Sequence, residues 1–351
     1  MSRGFELAYT YARVCGSLAR SFLGDKAASL ATSPRVGEAW RIVFSEAPPV
    51  LPEAQLADQA EKKLQRRADS ALRSIAGNSI DHEPFFACLI RNGEYSYVKR
   101  LLSAIVERSA SAPESAGLEL GVDVSAYPDL EKMLGGSRYR WIVDAAHEAG
   151  EKGVASLADL PAIKNKLDKQ YYLELWLSLD SVAHFRRGSL RDLLRLDAEL
   201  QNVVWALRLK RYYAFQPDEI EGLLIDMPGV DVKSSALDAV RRRLDSRSDW
   251  ASWKWAHLVS NAKSVEGSAA GAGEGAAFDV RSLESAAHRY QYRCLYHRLH
   301  LENETYVPLY AYYRIKELET RAIHGIIEGI KLEAPAAEIG AFALDTTGGA
   351  A

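Results

Sequence analysis

Three times in this chain a glutamate heads the same pattern: Glu94, Val98, Leu102; then Glu199, Val203, Leu207; then Glu319, Ile323, Ile327. A step of four residues returns a side chain to nearly the same face of an α-helix, so each triplet is one stripe of an amphipathic helix. The last copy lies in LYAYYRIKELETRAIHGIIEGI, Leu309–Ile330. With Ile315 at zero on the helical wheel, Tyr312, Ala322, Ile323, Ile326 and Ile330 fall within about 80° and Glu319 at about 40°. A carboxylate inside an apolar stripe is costly unless it is paired or hydrogen-bonded. The chain is therefore held to folds in which helices bury these faces and the acids find partners.

The rest of the sequence repeats in the same order. A tryptophan followed by aliphatics precedes each acid, at Trp40, Trp141 and Trp255, by 54, 58 and 64 residues. Between them lie helices rich in basic or aromatic residues: AEKKLQRRADSAL, IKNKLDKQYYLELWL and ESAAHRYQYRCLYHRL. Strand-like alternation is scarce, and Ala, Leu, Arg, Glu and Lys fill the long segments. The expected fold is all-α, with three similar helical lobes of roughly 105–120 residues. Helices are expected from Phe5–Leu23 through Val307–Ile330, with Ser189 and Asp279 as N-caps. The lobes are expected over 1–110, 118–228 and 229–332, with a flexible insert at 265–278 and a frayed tail over 333–351.

Repeated helical lobes usually present surfaces to partners. The net charge of −3 gives no footprint of a nucleic-acid binder. Three widely spaced cysteines, Cys15, Cys88 and Cys294, suit a reducing compartment better than a disulfide framework. No apolar run suits a signal peptide or a membrane span. Cys294, His297 and His300, with His288 nearby, share one helix at metal-like spacing, but no second ligand-bearing element accompanies them. GAGEG, Gly271–Gly275, lacks the Lys-Ser/Thr of a phosphate loop. No nucleophile arrangement is present, so no catalytic residue, metal or cofactor is expected. Basic runs at Arg66-Arg67, Arg186-Arg187 and Arg241-Arg242-Arg243 read first as solvated helix faces, and second as docking sites for acidic partners or lipid headgroups. Glu319 reads as a structural acid because two other lobes repeat it, with Arg208 and Arg13 as candidate partners.

Three segments resemble the C subunit of V-type and A-type ATPases and ATP synthases, known as the d subunit in eukaryotic V-ATPases. AYYRIKELETRAIHGIIEGIKL is similar to that family's final helix. LDAELQNVVWALRLKRYY, Leu196–Tyr213, resembles its central helix through Glu199, Asn202, Arg208 and Lys210. YTYARVCGSLARSFL is similar to its opening. The position of Asn202 is held by Tyr97 and Ala322 in the other copies, and the insert around Gly267–Ala277 departs from the pattern. The resemblance implies a pseudo-threefold, funnel-shaped body that is a non-catalytic rotor connector of a proton- or sodium-translocating ATPase. It would sit peripherally on the cytoplasmic face of the membrane. Its partners would be the proteolipid ring and the central-stalk shaft, with the membrane stator as a further candidate. Glu94, Glu199, Asn202, Arg208 and Glu319 are then its structural polar residues. The competing reading is a soluble helical-repeat adaptor unrelated to ATPases.

Overall fold

The computed structural model describes residues 3–76, 84–107, 122–148, 160–244, 246, 248–260, 279–302 and 306–342. The expected loops at Ser109–Gly117 and Gly267–Ala277, and the tail over 343–351, lie outside them. In chain order the helices are α1 (Arg3–Leu18), α2 (Asp25–Ala31), α3 (Val36–Phe44), α4 (Glu53–Ala76), α5 (Pro84–Ile90), α6 (Asn92–Val106), α7 (Leu130–Leu134) and α8 (Arg140–Glu148). They continue with α9 (Leu160–Ser178), α10 (His184–Tyr213), α11 (Pro217–Leu223), α12 (Ser234–Arg241), α13 (Ala256–Ser260), α14 (Val280–Leu301), α15 (Tyr306–Lys331) and α16 (Ala336–Ile339). No strand occurs among the described residues beyond an isolated bridge between Met227 and Val230. The all-α expectation holds.

Local chemistry explains most boundaries. The Asp279 carboxylate accepts the Arg281 N–H at 3.1 Å and starts α14, as its sequence position predicts. Ser189 does not cap: α10 begins earlier, at His184, and Ser189 lies inside it. Pro217 opens α11, and the Glu219 carboxylate accepts the N–H of Gln216 at 2.7 Å. Periodicity overlooks α2 and α16 because each is too short to show a stripe.

Three short turns share one backbone pattern, spaced differently from the tryptophans. One turn recurs three times: Ser33 N–H to Leu30 O (3.1 Å), Ser137 N–H to Leu134 O (2.9 Å) and Trp253 N–H to Trp250 O (3.0 Å). A second bond follows each, Glu38 to Arg35, Ile142 to Tyr139 and Leu258 to Trp255. These turns line up Leu30 with Leu134 and Trp250, a spacing different from that of Trp40, Trp141 and Trp255. An indole fills space wherever a lobe is wide enough, so aromatic matches mark cores more than register.

Each acid-bearing helix packs with the segment that follows it. Helix α6 packs on α9, and α10 on α12 and α14. Helix α15 packs on the first segment, at α2, α3 and α4, and on α16, which follows it. Leu30, Trp40, Leu56 and Leu64 accordingly share one core with Ile323, Ile326, Ile327 and Ile330. A second core joins Leu200–Leu209 to α11, α12 and α14, and the largest unites α5 to α9 with the N-terminal half of α15. The chain does not fray at 333. Beyond the left-handed turn at Glu333 it folds back over α15, burying Ile339 and laying Phe342 against Gly325.

Candidate functional site

Glu94, Glu199 and Glu319 are all buried. The buried Glu199 carboxylate accepts from Lys254 Nζ at 2.6 and 2.7 Å, from the Ser235 hydroxyl and from the Trp255 indole N–H at 3.3 Å. Arg138 and Tyr139 lie near Glu94, and Arg138 pairs with Glu174 at 2.9 Å. Burial works against the Arg138 charge, but Glu174 and then Glu94 outweigh it and keep the guanidinium protonated. Burial, then the Glu94 charge, drives the Tyr139 phenol far above its ordinary range. At Glu319 the cation comes from the acid's own helix. Lys316 pairs with one carboxylate oxygen, and the other accepts the Phe22 N–H at 2.8 Å. Neither Arg208 nor Arg13 is the partner. Arg208 binds Glu284, and Arg13 binds the Ser74 hydroxyl and carbonyl. Charge balance can move from a neighbouring segment to the acid's own helix, which is why the sequence does not reveal the partner.

Asn202 has a different task. Its amide donates to the carbonyls of Ile225 (3.0 Å) and Val232 (2.8 Å), and its oxygen accepts the Ile225 N–H (2.7 Å). These three bonds pin the turn Asp226–Asp231 to α10. Glu199 and this turn line an open cleft of about 940 Å³, with Trp176, Arg191, Arg195 and Lys254 around it.

One buried polar cluster is missed by sequence reasoning. Arg314 and Asp197, each about 4% exposed, form an ion pair at 2.6 Å. Asp197 also accepts from Tyr172 OH (3.1 Å), Tyr310 OH (3.2 Å) and the Gln291 amide. Arg314 further binds Glu317, which accepts from Asn92. Helices α6, α9, α10, α14 and α15 are thereby tied at one point. Burial disfavours the charged guanidinium, but Asp197 and Glu317 outweigh it and hold the Arg314 pKa above its ordinary value. Burial, then the Asp197 charge, pushes the Tyr172 and Tyr310 phenols up, so both stay donors. The sequence signal is faint: Asp197 stands two residues before Glu199, off the repeated stripe.

The Cys294–His300 stretch is engaged in packing. His300 Nδ1 lies 3.3 Å from Tyr11 OH and its ring sits edge-on to Tyr296, while burial pushes the Cys294 thiol up. Among the described residues no three His, Cys, Asp or Glu side chains gather at metal-binding distance. No described helix is long and apolar enough to cross a membrane.

Fold and site together define an all-helical structural body whose repeated acids and one ionic hub fasten helices to each other. The sequence profile of the ATP synthase (C/AC39) subunit family matches residues 50–342, and the chain belongs to that family. It is 26% identical over 342 residues to an uncharacterized protein of Treponema pallidum (strain Nichols), covering 92% of each chain. It is 27% identical over 158 residues to the C subunit of the A-type ATP synthase of Methanosarcina mazei, 45% of this chain and 36% of that one. The chain is thus a V/A-type ATPase subunit by family, which disfavours the unrelated adaptor.

Proposed function

We propose that this protein is a non-catalytic connector of a V/A-type ATPase, joining the central-stalk shaft to the proteolipid ring at the cytoplasmic face of the membrane. The observation that carries the reading, beside family membership, is the Asp197–Arg314 hub. A torque-bearing part must not yield between its helices, and a desolvated, multiply bonded ion pair resists sliding better than apolar contact, which is non-directional. The body is three lobes joined in a cycle. The first lobe, expected over 1–110, is completed by α15, which leaves the third lobe to α10–α14. Glu94, Glu199 and Glu319 fasten successive segments, Asn202 fixes the cleft's turn and Arg208 braces α10 against α14. Torque would pass through shape and charge fit at two interfaces.

Affinity purification of the tagged chain from native membranes tests this. Ring and stalk proteins should co-purify, and Arg314→Met should weaken their recovery. A chain recovered without them from intact membranes overturns the reading.

A further inference from the structure

The run Arg241-Arg242-Arg243 has no role in the hub or the acid locks. In sequence it stands nearly thirty residues from Lys210-Arg211-Tyr212-Tyr213. In the fold the two meet. Lys210 Nζ donates to Val240 O at 2.6 Å and also to Arg242 O, so it ties the last turn of α10 to the end of α12. The Trp250 indole N–H donates to Arg243 O at 2.7 Å and fixes the segment beyond. Arg242 is turned to Asp238, at 2.8 Å. Arg211, Arg241 and Arg243 are exposed at these two helix ends, and Tyr212 and Tyr213 are each half exposed. Phe215 packs edge-on behind Tyr213. Of the nearby acids, Glu219 accepts the Gln216 N–H and Asp218 is exposed.

We propose that this tip, built from the ends of α10 and α12, is a contact site for an anionic lipid surface. Tyrosine places an apolar ring and a polar hydroxyl where hydrocarbon meets headgroup. Guanidinium groups are drawn to acidic headgroups within a Debye length. The tip is the end of two helices and shares no residue with the cleft beside Glu199, so it suits a flat, yielding surface better than an inserted side chain. The proposal rests on the membrane-complex reading above, but its test needs only the purified chain.

The full chain is floated with phosphatidylcholine vesicles, with and without phosphatidylglycerol, at low and high salt. Binding is expected only to the mixed vesicles and is lost at high salt. Arg211→Glu or Arg241→Glu weakens it by about fivefold or more, since each cation near such a surface contributes on the order of 1 kcal/mol. Tyr212→Ser with Tyr213→Ser weakens it while leaving the salt dependence. Arg41→Glu, the same charge change on exposed α3, leaves binding unchanged. Absence of vesicle binding by the natural chain overturns the proposal, as does equal loss in Arg41→Glu. So does binding to soluble polyglutamate with none to vesicles, which points to an acidic protein partner. Failure on vesicles with intact co-purification of ring and stalk overturns the lipid contact alone.

Discussion

A single residue shows how much the polar interior matters. Arg314 is surrounded by Asp197, Glu317, Tyr172 and Tyr310 and is almost wholly buried. Removing one member leaves a buried charge alone, which costs about 3–5 kcal/mol. Replacing both with apolar residues of similar size removes the two buried charges together. We therefore expect Arg314→Met to lower the urea midpoint steeply, and Asp197→Leu with Arg314→Met to recover much of the loss. Equilibrium unfolding of the two single variants and the double variant checks this. Additive losses would mean that the pair is not coupled. Glu317, Tyr172 and Tyr310 lose these partners in the double variant, so recovery is expected to be incomplete.

Helix α15 shows a comparable constraint in its glycines. A glycine within a helix costs up to about 1 kcal/mol relative to alanine. Gly325 and Gly329 stay because the returning tail comes close. A Cβ at Gly325 would lie 2.6 Å from the Phe342 ring, and one at Gly329 would lie 2.9 Å from Ile339. Gly325→Leu should therefore lift residues 336–342 off α15. Limited proteolysis is expected to cut the variant beyond Glu333 faster than the natural chain. Gly222→Ala, with open space around its Cβ, should leave the pattern unchanged. Equal cleavage in Gly325→Leu would show that the tail is held elsewhere.

At the scale of the whole molecule, the order of packing differs from the order of the chain. Glu319 accepts the N–H of Phe22, and Ser17 meets the Tyr312 hydroxyl at 2.8 Å, so the last long helix closes on the first segment. A fragment of residues 1–107 lacks the isoleucine face that covers Leu30, Trp40 and Leu64. Expressed alone, it should unfold without a cooperative transition. Adding a peptide of residues 306–342 should restore cooperativity and protect the Trp40 indole from quenching. Cooperative folding of 1–107 alone would mean that the first lobe is contiguous.

Helical class and the three acids are legible in the sequence because both are properties of a few consecutive residues. A period of 3.6 is set by backbone geometry, and an acid in an apolar stripe declares that it needs a partner wherever it folds. The identity of those partners is not legible. Lys316 serves Glu319 from the same helix, Lys254 serves Glu199 from the next segment, and Arg314 meets Asp197 across 117 residues of chain. The tryptophan spacing carries little about register, because aromatic rings satisfy volume, which many positions can supply. The sequence by itself determined which faces must be buried and which charges must be paired. Only the tertiary structure decided with what, because desolvation is a local cost that distant parts of the chain compete to offset.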